Sequence, residues 1–128
     1  MTHLVYILLL SVFSNPAKNE NYFYFEKIDN IAIISIDGNE VFRTEQVKGN
    51  PDLNLKISIE PFLTKDTKEI MVQIENGHSY NPNIKDEHWE VRYELFFDGE
   101  PIDYIWEQAD DSRTGIVFEK KYKLSEWR

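Results

Sequence analysis

The chain contains no cysteine. That excludes a disulfide framework, a thiolate zinc site and a cysteine nucleophile. A Gly-x-Ser-x-Gly elbow, a His-Glu-x-x-His pair and a glycine-rich phosphate loop are also missing, so the familiar local signatures of hydrolytic and nucleotide chemistry are absent. Base is scarce. Lys and Arg number 14 against 23 Asp and Glu, which leaves a net charge of −9. Such a chain repels phosphate backbones and anionic lipid, which argues against nucleic-acid binding and a polybasic membrane contact. Apolar residues are not scarce. At 41% of 128 residues, with 14% aromatic, they suffice for one packed core and argue against disorder.

Long apolar runs are few, and the clearest one opens the chain. Met1 to Ala17 carries no Lys, Arg, Asp or Glu, and Leu4 to Leu10 is unbroken apolar sequence. A bilayer span takes roughly 20 apolar residues, so this run is too short to cross. It has the length of the apolar region of a secretory signal, and Asn15-Pro16-Ala17 supplies a turn and a small residue before Lys18. The basic start usual in such signals is missing, since Thr2 and His3 follow the initiator. Residues 1–17 are therefore read as a signal peptide of a periplasmic or secreted protein, and 18–128 as one domain.

Helical periodicity is absent from the remainder, and a period of two takes its place. Leu53, Leu55, Ile57 and Ile59 alternate with polar residues. Ile70, Val72 and Ile74 do the same with Met71 as an exception, and Trp89, Val91, Tyr93, Leu95 and Phe97 do so until Phe96 interrupts. These are half-buried strands. Further strands are expected at Tyr22–Ile28, Ile31–Ile36, Glu40–Val47, Ile102–Trp106 and Ile116–Leu124, which are rich in β-branched and aromatic residues. Asp37-Gly38 and Asp98-Gly99 suit the positive φ of tight hairpins, and their flanks are alike, as if one hairpin solution were used twice. Asn50-Pro51 and Asn76-Gly77 end two other strands. About eight short strands at this spacing predict an all-β fold, a single antiparallel β-sandwich of jelly-roll or related type. The predicted core face comprises Leu55, Ile57, Ile59, Ile70, Val72, Ile74, Val91, Tyr93 and Leu95.

Within that pattern, Leu55 to Gly77 forms an alternating strand, a Pro61-Phe62 turn and an Ile/Val-rich strand closed by Asn76-Gly77, with the Asp37-Gly38 hairpin extending it back to Ile31. In outline this resembles the galactose-binding-like β-sandwiches, which include sugar-binding domains of glycoside hydrolases. The resemblance implies the sandwich fold and transfers no ligand-binding residue. Exported sandwiches of this size also resemble bacterial immunity proteins that neutralise toxins.

Charge is unevenly spread. Asp86 to Asp111 holds ten acidic residues and one base, Arg92, whereas Ser112 to Arg128 carries a net charge of +3. Acidic Glu90, Glu94, Asp110 and Asp111, with Tyr104 and Trp106 as aromatic anchors, form the predicted docking surface for a basic protein partner. Alternation places Glu90, Arg92 and Glu94 opposite Trp89, Val91 and Tyr93, and so toward solvent. Tyr80 and Trp106 are the candidates for an alternative, carbohydrate stacking, while Trp89 starts a core face. A third reading, a small hydrolase, would use two of the clustered carboxylates. His78 and His88 flank the longest loop and with Asp86 or Glu87 have the residue types of a metal site, but no ligand spacing supports one. No cofactor, metal or catalytic residue is assigned, and the leading expectation is a non-catalytic binding protein. If the export reading holds, intact-mass measurement of protein from the native host will return a chain beginning near Lys18. A full-length cytoplasmic species would refute it.

Overall fold

The computed structural model describes residues 20–77 and 87–127. The expected signal segment, Tyr80, His78 and Asp86 lie outside the described residues. Eight strands run in chain order: β1 (Tyr22–Ile28), β2 (Ile31–Ile36), β3 (Asn39–Arg43), β4 (Leu55–Ser58), β5 (Glu69–Asn76), β6 (Trp89–Phe97), β7 (Glu100–Ala109) and β8 (Gly115–Lys123). They form two four-stranded antiparallel sheets, β4-β1-β6-β7 (sheet A) and β3-β2-β5-β8 (sheet B). The protein is thus an all-β sandwich. Only β2–β3 and β6–β7 are hairpins within a sheet, and every other connection crosses between sheets. Boundaries differ from the sequence expectation. β3 stops at Arg43 instead of Val47, and β4 begins at Leu55 instead of Leu53. β7 runs on to Ala109, because pairing with β6 continues as far as Trp89.

The core lies between the sheets, where inward side chains of both interdigitate. Ile57, Ile59, Ile70, Val72, Ile74, Val91, Tyr93 and Leu95 are all buried there, and Leu55, on the short edge strand β4, packs against the cluster half-buried. The centre is aromatic. Tyr93 sits 5.4 Å from Phe23 edge-on, 5.3 Å from Phe25 and 6.2 Å from Phe118, so both sheets contribute to one ring cluster. Phe96, which interrupts the sequence alternation, stacks on Tyr22 at 4.6 Å on the outer face of sheet A. Trp89 is core, at 4% exposure.

The two hairpins are the same device. Asp37 and Gly38 adopt φ of 48° and 82°, Asp98 and Gly99 φ of 52° and 76°. In both, the register slips by one residue shortly after the turn, so that Val41 and Ile102 are extra residues on the second strand. A bulge there increases local twist and starts the edge strand at an angle.

On one side of the sandwich the edges β7 and β8 face each other across the gap. Tyr93 and Tyr122 hydroxyls lie 2.5 Å apart, and Tyr122 donates to Asp103 Oδ2 at 2.6 Å. Lys120 Nζ approaches the same oxygen to 3.0 Å. Burial above all, with Tyr93 and Asp103 adding to it, pushes the Tyr122 phenol far above its ordinary range, and burial does the same for Tyr93. Both stay neutral and hydrogen-bonded, and they bridge the sheets where aliphatic packing runs out.

Replacing Val72 by Asp places an unpartnered carboxylate in this core. The expected cost is on the order of 4 kcal/mol, measured as a fall in the urea midpoint. An unchanged midpoint would show that Val72 does not face the core.

Candidate functional site on the outer face of sheet A

Alternation along β6 and β7 sends Glu90, Arg92, Glu94, Tyr104, Trp106 and Gln108 to the side of sheet A away from the core. The register places Glu94 beside Tyr104 and Arg92 beside Trp106, and Tyr24 of β1 lies on the other side of Glu94. Four of the six predicted docking residues therefore share one face. Tyr104 and Trp106 are 51% and 54% exposed, the most exposed large apolar side chains among the described residues.

Glu90 corrects the sequence expectation. It is on the predicted face, but it is buried, at 7% exposure. Trp106 Nε1 donates to its Oε2 at 2.7 Å and Asn50 Nδ2 to its Oε1 at 2.7 Å. His88 Nε2 lies 3.8 Å from Oε1. Burial opposes the charged form of Glu90, but the bonds from Asn50 and Trp106, with Lys27 and His88 nearby, outweigh it and hold the carboxyl below its ordinary value. Glu90 is thus an anion that fixes neighbouring groups and is not open to a partner. Its main effect is on Trp106. The indole is held at one edge by this bond, and the Arg92 guanidinium lies 5.2 Å from its ring. Arg92 is itself paired with Glu26. A large aromatic side chain is exposed yet held in place, which lowers the entropy cost of using it in binding.

Asp110 and Asp111 are both bonded to neighbouring groups, although they are exposed, Asp110 with 83% of its side chain. Asp110 Oδ1 bonds His88 Nδ1 at 2.6 Å. That bond, opposed by partial burial and aided by the charges of Asp110, Asp29 and Glu90, raises the His88 pKa above its ordinary value. Asp111 accepts from the Arg113 backbone N at 3.1 Å and side chain at 2.8 Å, and from Trp89 Nε1 at 3.2 Å. These contacts hold its carboxyl below the usual range against desolvation. Both residues lie beyond the end of β7 and brace the β7–β8 turn. Glu94, by contrast, makes no ion pair among the described residues. Sequence reasoning missed Asn50, which reads only as a strand end before Pro51. Arg92 carried a signal, as the single base in the acidic segment.

Among the described residues no group of three or more His, Asp and Glu is placed to hold a metal. Carboxylates line depressions at the hairpin end of the sandwich, away from Trp106: Glu60 and Asp98 with Lys65 in one of about 320 Å³, and Asp66 and Glu69 among lysines in one of about 590 Å³. No protein-family model, curated protein or solved structure matches this chain.

The Glu90–His88–Asp110 cluster predicts a pH profile. A depressed Glu90 pKa contributes stability above its ordinary value of 4.5, lost as pH falls through the folded-state value. A raised His88 pKa contributes stability below 6.5, lost as pH rises through its folded-state value. Both contributions are complete between pH 4.5 and 6.5, and urea midpoints are expected to peak there. His88→Gln should remove the decline on the alkaline side alone. An unaltered alkaline limb in that variant would contradict the assignment.

Proposed function

We propose that this chain is an exported, non-catalytic binding protein that docks on a basic protein partner through the outer face of sheet A, as inhibitors and toxin-immunity proteins do. The observation that carries the reading is Trp106. It is more than half exposed, yet its indole N–H is fixed on a buried carboxylate and its ring lies beside a guanidinium. Fixed, exposed Trp and Tyr are the residue types that dominate interface energies. Charge supplies the partner's sign. Glu94 lies next to Tyr104 and makes no ion pair among the described residues, and the chain as a whole carries −9, so a cationic surface would be steered toward this face.

A second reading, carbohydrate binding, has one observation in its favour. Tyr104 and Trp106 stand two residues apart on one face of a strand, about 7 Å along it, and both are open for stacking on sugar rings. It also accommodates the resemblance to galactose-binding-like sandwiches.

Ionic strength separates the two. Captures from native-host extract and from a panel of immobilised glycans, at low and high salt, should use wild type, Trp106→Ala and Glu94→Lys. Under the leading reading a single basic protein is retained at low salt, both variants lose it, and high salt weakens it. Glycan capture that Trp106→Ala abolishes but Glu94→Lys and salt leave unchanged would replace it with the sugar reading. Equal capture by all three proteins would overturn both.

A further inference from the structure

The outer face of sheet A already holds cations against its aromatic rings. Lys56 Nζ lies 4.2 Å from the centre of the Tyr22 ring. The Arg92 guanidinium lies 5.2 Å from the Trp106 ring and is paired at the same time with the Glu26 carboxylate. In both cases cation and ring come from this chain. Between these two sites is a third with a carboxylate and rings but no such cation. Strand pairing sets Tyr24, Glu94 and Tyr104 side by side across β1, β6 and β7. The register slip after Leu95, which leaves Ile102 unpaired, is what turns Tyr104 outward beside Glu94. Lys56 starts the same row on β4, but its ammonium lies over Tyr22 in the neighbouring row. Glu94 is half-buried and makes no ion pair among the described residues. Tyr104 is 51% exposed, and Tyr24 is held by its hydroxyl, which donates to Asn54 Oδ1 at 2.5 Å.

Given the docking reading of this face, on which this rests, we propose that the group recognised on the partner is an arginine side chain, seated on Glu94 with Tyr24 on one side and Tyr104 on the other. The carboxylate supplies the charge. It is partly withdrawn from water, which strengthens a charge-assisted hydrogen bond to it. The rings supply the walls. Tyr24 and Tyr104 start two strand spacings apart, roughly 10 Å, and a cation over a phenol face is attracted by the ring quadrupole. A guanidinium suits such a place better than an ammonium. It is flat, it is more weakly hydrated, and it bonds both oxygens of a carboxylate at once while its faces remain open for stacking. Arg92 shows the same combination one row away, with Glu26 for the carboxylate and Trp106 for the ring. The charges around Glu94 permit a second guanidinium. Arg92 is two residues along β6, but Glu26 neutralises it, and Lys56 stands two strands away. Tyr, Trp and Arg are also the residue types that carry most interface energy.

Titration of the isotope-labelled full chain with Nα-acetylarginine amide at low salt, followed by NMR amide shifts, tests the assignment. Saturating shifts centred on Tyr24, Glu94 and Tyr104 are expected, with a Kd on the order of 1–10 mM for one side chain without the rest of a partner. Nα-acetylcitrulline amide has nearly the same shape without the charge and should bind at least about tenfold more weakly. Nα-acetyllysine amide should bind about threefold more weakly than the arginine compound. Glu94→Gln is expected to weaken arginine binding about tenfold or more, and Tyr104→Leu about threefold. The spectra of the variants report their folding, and the citrulline comparison on wild type needs no variant. Shifts that fail to saturate, that centre elsewhere, that the citrulline compound reproduces, that the lysine compound matches in affinity, or that survive Glu94→Gln unchanged would overturn the proposal. The extract captures answer separately for the docking reading. A basic protein retained by wild type, with no arginine amide bound at Glu94, would sink this assignment alone. Arginine amide seated at Glu94, with no basic protein retained, would sink the docking reading and leave the arginine seat standing.

Discussion

The fold depends on burying two sheet faces against each other around Tyr93. Its ring is fully buried and touches Phe23 and Phe25 from its own sheet and Phe118 from the other. A phenol in that position needs a hydrogen-bond partner, because an unpaired buried hydroxyl costs about 1–3 kcal/mol. Tyr122 supplies the partner, and Asp103 and Lys120 carry the chain of contacts to the sandwich edge. One packing choice at the centre thus fixes which charged residues face each other at the margin. The level of β7 against β8 follows from it.

The outer face of sheet A follows the reverse logic. There a carboxylate is buried under an aromatic ring, and the ring is left exposed. Glu90 is stable as an anion only because Asn50 and Trp106 both donate to it. Asn50 reaches it from the loop before β4, with Gly49 and Asn50 itself at positive φ of 77° and 46°. Lys27 holds that loop in turn, through the Asn50 carbonyl at 2.9 Å and Asp52 at 2.9 Å. A loop far away in sequence therefore orients the most exposed tryptophan.

The acidic segment that dominates the charge distribution turns out to be divided by the fold. Asp103, Asp110 and Asp111 are taken up by Lys120, His88 and Arg113, and Glu90 by hydrogen bonds. The carboxylates of this segment that make no ion pair among the described residues, apart from buried Glu90, are Glu94 beside the aromatic pair, Glu87 and Asp98 flanking β6, and Glu100 and Glu107 on β7. A net local charge says that a region is acidic. It does not say which carboxylates a partner would meet.

The sequence by itself determined the fold class, the strand count, both hairpins and the core faces. Each of these rests on local physics: side chains alternate every two residues, and Asp-Gly tolerates the positive φ that a tight hairpin demands. It also sent Glu90 and Glu94 to the outer face by parity along β6, whereas the bulge at Ile102 decided that Tyr104 and Trp106 join them there. Tertiary structure alone decided that Glu90 is covered, that Asp110 and Asp111 are braces, and that β7 lies over β8. Parity gives the direction of a side chain but not what lies above it. Asn50 is 40 residues from Glu90 and Lys120 is 17 from Asp103. Only the packing of sheet on sheet and of loop on sheet brings such pairs within hydrogen-bonding distance.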